Sequence, residues 1–325
     1  MRKLGYVAAL LAAAPGLASP AWSTASDLSG RWAVHAGGRT LMLIDVAPDK
    51  AAPGTWDVDL ARPSGLSLTS SHMASGMNPG VEHREMRSVA VSGGAITLKY
   101  VHPKPDEASD AFILTPVAGG FATLGFKDAP FEPILLVRAR PDDAVAGGWD
   151  KARDYPLDEP WPSDAEMTRL YDEDQAARQS DHIDWKIVGP QDAARRVRTK
   201  ALLDAGALHS ADDYLHAAFL FQHGDKPQDY LLAHGLAIIA AAKGRRDAPW
   251  IAAASLDRYL QSIGREQVYG TQYLTRPGQK ATQEPYDRSV ISDAMRTATG
   301  VPTQAAQEQQ RAQFDAPAPA APPKP

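Results

Sequence analysis

Residues 221–225 read FQHGD. A histidine two positions before an aspartate can form a hydrogen-bonded acid–base couple, the pair that proton transfer at neutral pH calls for. The plainer alternative is a helix end, with His223 facing the negative pole of the helix and Asp225 opening a turn. A second group lies at DEDQAAR, residues 172–178. Asp174 and Arg178 stand four apart, so on a helix they can pair, with Gln175 on the flank. LDRYL at 256–260 supplies Asp257 and Arg258, and QVYGTQ at 267–272 supplies Gln267, Tyr269, Thr271 and Gln272 around Gly270. Those side chains offer many donors and acceptors and no strong charge, as one wall of a polar site would. The competing reading is a loop whose side chains satisfy its own backbone.

Metal chemistry fits poorly. His216 and His223 share a helix flank but are seven positions apart, about 10.5 Å along the axis. That separation is too long for one ion's ligand shell. The chain has no cysteine, which excludes thiol nucleophiles and thiolate sites. No GxSxG, HExxH, P-loop or GxGxxG stretch is present. The expectation is therefore no metal and no cofactor.

Helices must carry these residues. Advancing 100° per residue, Met167, Leu170 and Tyr171 mark an inward stripe that Asp174 and Arg178 extend. A charged pair on an inward face costs desolvation unless its hydrogen bonds are complete, so it is either a strut or part of a site. Leu215, Ala218 and Phe219 mark the stripe of another helix, which Gln222 extends. Ala252, Leu256, Leu260 and Ile263 mark a third, and Asp257 and Arg258 fall off it, as solvated charges would. SDAE at 163–166 reads as a capping box that starts the first helix. Further helices are expected near 191–204, from Ser210 to about 224, from about Pro227 to 244, from 247 to 264 and weakly over 286–299. The basic run RRVRTK at 195–200 reads as a solvated face.

Residues 27–140 have a different grain. Short apolar runs at 40–46, 55–60, 88–92, 95–101, 111–117 and 133–139 alternate in period two between turn residues, as antiparallel strands do. The chain is thus expected to be α+β in two domains: an N-terminal antiparallel β-barrel or sandwich and a C-terminal all-α bundle. The 70–83 loop reads as flexible surface and 141–162 as a linker, with Trp149 and Trp161 as anchors. Residues 163–300 form the helical domain with the polar site, and the Pro/Ala-rich 301–325 form a disordered tail. Residues 1–21 have the charged start, short apolar core and small-residue end of a signal peptide, cleaved after Ala18 or Ala21. That points to export, to the periplasm or beyond, with no membrane span. With 34 basic against 39 acidic residues the net charge is −5, and nothing resembles a nucleic-acid footprint.

Two resemblances add to this. Gly30, Trp32 and a late arginine, Arg138 or Arg140, are similar to the lipocalin-like pattern, in which a Gly-x-Trp packs under an arginine from the last strand. It implies a barrel with an apolar ligand pocket; a solid barrel with Trp32 as plain core is the alternative. The four motifs of residues 163–300 resemble an uncharacterised bacterial helical domain family of unknown function, with Asp-Gln-x-x-Arg, Gln-His-x-Asp, Asp-Arg and Gln-x-Tyr-Gly-Thr-Gln signatures. Gly224 stands where alanine is expected, and 182–208 lacks a tryptophan-proline step. The resemblance implies that Asp174, Gln175, Arg178, Gln222, His223, Asp257, Arg258, Tyr269, Thr271 and Gln272 converge. Two functional readings follow. The first is a metal-independent hydrolase or transferase acting on a small polar or envelope-derived substrate. In it His223 is the acid or base, oriented by Asp225 or Asp174, with Arg178 or Arg258 on an anionic group. Gln175, Gln222, Tyr269, Thr271 and Gln272 then orient the substrate. The alternative is a non-catalytic ligand- or peptide-binding module of the cell envelope. A purely structural role for the buried polar groups is the third possibility.

Overall fold

A computed structural model of the chain describes residues 24–105, 110–127, 131–179, 183–276 and 278–315. The signal-peptide reading of residues 1–21 lies outside them. The chain falls into two compact units, residues 1–160 and 161–325, and each is described by itself.

In the first unit, alternating side chains build antiparallel strands. β1 (Gly30–Ala36), β2 (Arg39–Pro48), β3 (Trp56–Pro63), β6 (Val81–Ser92), β7 (Ala95–Tyr100), β8 (Phe112–Val117), β9 (Phe121–Phe126) and β10 (Ile134–Arg138) pair in that order. β10 then pairs back onto β1, with Trp32 opposite Arg138, and closes an eight-stranded barrel. Closure removes the open edges that a sandwich would leave. Trp56, Val58 and Leu60 of β3, and Ile96, Leu98 and Tyr100 of β7, point inward at every second position. They join Trp32, Ile44, Met86 and Leu114 in one continuous apolar core. β9 escapes the period-two reading because its sequence, FATLGF, has four consecutive buried positions rather than an alternation.

The end of the barrel at the start of β1 is closed as the Gly-x-Trp pattern implies, and the arginine is Arg138. Its guanidinium lies 3.8 Å over the Trp32 ring. Arg138 Nη1 donates to the Ser29 carbonyl at 2.6 Å and Nη2 to that of Asp27 at 2.5 Å. Trp32, 1% exposed, donates its indole N–H to Leu28 O at 2.7 Å. Gly30 has φ 108°, and a Cβ there would stand 2.9 Å from Arg138 Nη1.

Two expectations are corrected here. The stretch at 70–83 is not a free surface loop: β4 (Ser67–Leu68) pairs with β5 (Met73–Ser75), which pairs with β11 (Tyr155–Asp158). His72, at φ 55°, binds the Glu159 carboxylate through Nδ1 and the Glu132 carbonyl through Nε2, both at 2.8 Å. The 141–162 stretch is not a plain linker either, because β11 continues the sheet against the second half of β1. A bulge between Val34 and His35 lets β1 change partner there. Trp149 is held by the Arg39 guanidinium 3.7 Å above its ring.

The second unit is helical. Its first five helices are α1 (Ala165–Ala176), α2 (Trp185–Asp204), α3 (Ala211–Gln222), α4 (Pro227–Ala242) and α5 (Ala248–Ser262). Their Ala- and Leu-rich faces form one core around Met167, Leu215, Phe221, Leu236 and Ile251. Asp164, one residue after the expected Ser163, caps α1 by accepting from Met167 N at 2.7 Å. Ser210 caps α3 in a capping box with Asp213. α2 starts six residues before the expected 191, and Gly189 and Pro190, which look like a boundary, lie inside its first turns. Beyond α5 a coil leads to α6 (Asp293–Ala298) and α7 (Gln304–Phe314). α7 corrects the reading of a disordered tail from 301. Thr303 caps it, and its Gln307 is buried with Nε2 donating to Tyr269 O at 2.8 Å.

Two measurements check this unit-by-unit account. Trp32→Ala is expected to destabilise the chain by about 3–5 kcal/mol through the cavity it leaves. Arg138→Ala is expected to cost less, about 1–2 kcal/mol, for a cation–π contact and two hydrogen bonds. Urea unfolding of the full chain compares them. The Glu159 hydrogen bond raises the His72 pKa above the ordinary 6.5, against an opposing effect of burial. A raised folded pKa gives stability that is complete below the unfolded value and is lost as pH climbs through the folded one. The stability advantage of wild type over His72→Gln should therefore be complete well below the ordinary 6.5 and shrink as pH rises above it, read from urea midpoints.

Candidate functional site

Asp174 is the hub of the polar cluster. α1 places it on the inward face with Met167 and Leu170, and it is 1% exposed. Its carboxylate accepts from Arg178 Nη1 at 2.8 Å and Gln175 Nε2 at 2.9 Å, and lies 3.1 Å from His223 Nδ1. Arg178 reaches on to α2, where Nη2 donates to Asp192 Oδ2 at 2.7 Å. Arg195 also binds Asp192, and its Nε stands 3.9 Å from Asp174. Burial by itself would raise the Asp192 carboxyl, but hydrogen bonds from Arg178 and Arg195 outweigh it and leave the pKa below the ordinary value.

Asp192 and Arg195 were not among the residues expected at the site. The basic run at 195–200 reads as solvated, yet Arg195 is buried and Arg196 Nη1 donates to the His223 carbonyl at 3.0 Å. The available signal was angular. Asp192, Arg195, Thr199 and Leu202 share one buried face of α2, and all four lie within the helix expected over 191–204.

His223 ends α3. Its partner is Asp174 and not Asp225, which is 76% exposed and comes only within 3.8 Å of Arg196. Asp225 is thus placed outside the couple. With Nδ1–H donated to a carboxylate, the neutral ring carries its lone pair on Nε2. Nε2 has no partner among the described residues. Gly224 follows, where a Cβ would lie 2.7 Å from Asp229 Cγ. This contact explains glycine at a position where alanine was expected. Gln222 is buried, and its side-chain amide makes no hydrogen bond among the described residues.

Asp257 and Arg258 are not solvated charges. Asp257 is 0% exposed and accepts four hydrogen bonds. They come from Val268 N at 2.8 Å, Tyr269 N at 3.0 Å, Thr271 N at 2.9 Å and Thr271 Oγ1 at 2.8 Å. Gln267, also fully buried, donates to Gln272 O and accepts from Gln272 N, both at 3.0 Å. Gln272 Nε2 donates to Ala254 O at 3.3 Å and to Thr271 Oγ1 at 2.9 Å. The side chains of Thr271 and Gln272 are therefore spent within the loop. Gly270, at φ 80°, has no room for a side chain, since a Cβ would stand 2.6 Å from the Tyr286 ring. The Tyr269 carbonyl gathers Tyr286, Arg296 and Gln307, while its hydroxyl makes no hydrogen bond among the described residues. No described hydrogen bond or ion pair joins this loop to His223 or Arg178.

The structure thus brings Asp174, Gln175, Arg178 and His223 into direct contact, with Gln222 and Arg258 at the same end of α3. It places Tyr269, Thr271 and Gln272 in a loop docked on Asp257. Arg258 Nη1 donates to the Gln222 carbonyl at 3.4 Å. Burial pushes its pKa down and the Arg178 charge adds to this, with Tyr230 partly opposing. Among the described residues no group of three His, Asp or Glu side chains is placed to hold a metal ion.

Comparison with family models, with curated proteins and with solved structures returns no match. The resemblance of the helical unit to an uncharacterised bacterial family therefore gains no support from these comparisons. The closed eight-stranded barrel is consistent with the lipocalin-like reading of the N-terminal part.

Asp257→Ala would orphan three backbone N–H groups and is expected to cost about 3–5 kcal/mol. Faster amide exchange at residues 268–271 than in α3 would localise the loss.

Proposed function

We propose that His223 and Asp174 form a metal-independent acid–base couple serving hydrolysis or group transfer on a small polar or envelope-derived substrate. The observation that supports this most is the division of labour on one imidazole. Nδ1 is held by a buried carboxylate, and Nε2 is left without a partner among the described residues. Asp174 fixes the ring's orientation and stabilises the imidazolium that forms when Nε2 takes a proton. In the forward step Nε2 removes the proton from an attacking water or hydroxyl, and it then returns that proton to the leaving group. Arg196 holds the His223 backbone carbonyl, so the ring is fixed from two directions. Arg178 is occupied by Asp174 and Asp192, which makes it a positioning residue. Substrate contacts fall instead to Gln222, Arg258 and the Tyr269 hydroxyl.

The signal-peptide layout of residues 1–21 supports an exported location and hence an envelope substrate. No described helix is long and apolar enough to cross a membrane. A binding module without turnover is the second reading. In either reading Thr271 and Gln272 are not ligand contacts, since their side chains are committed to Asp257 and to each other.

In a panel of hydrolase and transferase substrates, His223→Ala should lower kcat about 10²–10⁴-fold with little change in unfolding midpoint. Turnover that survives the substitution undiminished would remove the acid–base assignment. Ligand-induced thermal stabilisation with no product formed would favour the binding module.

A further inference from the structure

Two arginines in the helical unit show contrasting environments. Arg296 is 0% exposed and its guanidinium is surrounded by acceptors: the carbonyls of Ile291, Val268 and Tyr269, the Tyr286 hydroxyl and the Asp293 carboxylate. That is how a structural arginine is satisfied, every N–H with an oxygen. Arg258 is half-buried in α5 and has almost none of this. Its single described hydrogen bond is the 3.4 Å contact to the Gln222 carbonyl. Nε is buried with no partner, and Nη2 has none among the described residues.

Among the described residues no carboxylate answers its charge. The charged group that faces it is Arg178, which repels it. Among the described residues, the carboxylates of Asp174 and Asp192 stand here against three guanidiniums, those of Arg178, Arg195 and Arg258. The cluster carries an excess positive charge before His223 is protonated. A cation withdrawn from water without a counter-charge is costly, and an arginine keeps its proton rather than escape that cost.

We propose that Arg258 is the anion-recognition point of this site and that its ligand carries an oxyanion, a phosphate or a carboxylate. The oxyanion accepts from the uncommitted Nη2, and Gln222, whose side-chain amide is equally uncommitted, lies on the helix end that Arg258 already touches. A guanidinium suits this role because its planar donors match the oxygens of both groups. The inference deepens the acid–base reading, since it assigns the anionic part of the substrate to Arg258 and the reacting part to His223. The binding itself does not depend on that reading.

Isothermal titration of the full chain with inorganic phosphate, and separately with acetate, tests this at constant ionic strength set by chloride. Wild type should bind at least one of the two saturably. Arg258→Gln should weaken that binding about tenfold or more, the loss expected for one charge-assisted hydrogen bond. Arg258→Lys should retain most of it, and His223→Ala should stay within about threefold of wild type, because the ring is not the charge partner. The unfolding midpoint of Arg258→Gln without ligand should equal or exceed that of wild type, since an unanswered charge has been removed. Preference for phosphate or for acetate identifies the oxyanion, and either upholds the proposal. Absence of saturable binding to both, or equal binding by Arg258→Gln, overturns it. Loss of turnover in His223→Ala with phosphate or acetate binding intact separates this result from the fate of the acid–base reading.

Discussion

A carboxylate taken out of water has to be matched oxygen by oxygen, and Asp174 is where this chain meets that demand. Its neighbours are Gln175 and Arg178 from its own end of the chain, Arg195 from α2 and His223 from the end of α3. Removing Arg178, its closest cation, would leave a buried carboxylate under-answered, which costs more than the pair contributes when intact. The carboxylate therefore couples three helices whose apolar faces would tolerate some sliding. Leucines and alanines set the distance between helices, and directional hydrogen bonds set their rotation and register. The imidazole inherits its orientation from that arrangement, so the proposed chemistry and the packing of the bundle share one residue.

Asp257 repeats the device in α5. It is equally buried, but its partners are backbone N–H groups and a threonine hydroxyl instead of cations. The loop from Val268 to Thr271 is thereby wound around one carboxylate, much as a backbone nest encloses an anion. Two consecutive residues of α5 thus play opposite parts. Asp257 is saturated by the chain that follows it, and Arg258 is left with a single carbonyl.

The sequence made legible whatever depended on periodicity. Met167, Leu170 and Tyr171 define a stripe, and the position of Asp174 and Arg178 on it announced a buried charged pair. The period-two runs announced strands, and Gly30 and Trp32 announced the closed barrel end. What stayed hidden depended on partners distant in the chain. Asp225 is nearer to His223 in sequence, but the turn at Gly224 sends it to solvent, and Asp174, 49 residues away, takes its place. Arg195 and Asp192 were obscured because the basic run at 195–200 reads as solvated and few apolar residues mark the buried face of α2. α7 was masked by the low apolar content of QAAQEQQRAQF. Its one buried side chain is an amide that donates to the carbonyls of Tyr269 and Pro302, and no hydrophobic pattern reports such an anchor.

The bulge between Val34 and His35 has a consequence for how the barrel can change over time. One strand is committed to β10 on one side of the irregularity and to β11 on the other. Gaining or losing a single residue anywhere from Gly30 to Ala36 would shift the pleat by one step. On one side of the irregularity Trp32 would turn outward from beneath Arg138, and on the other His35 and Ala36 would lose their pairing with β11. Length variation is therefore confined to the hairpin tips, among them the Gly37–Gly38 turn, where an added residue alters neither phase.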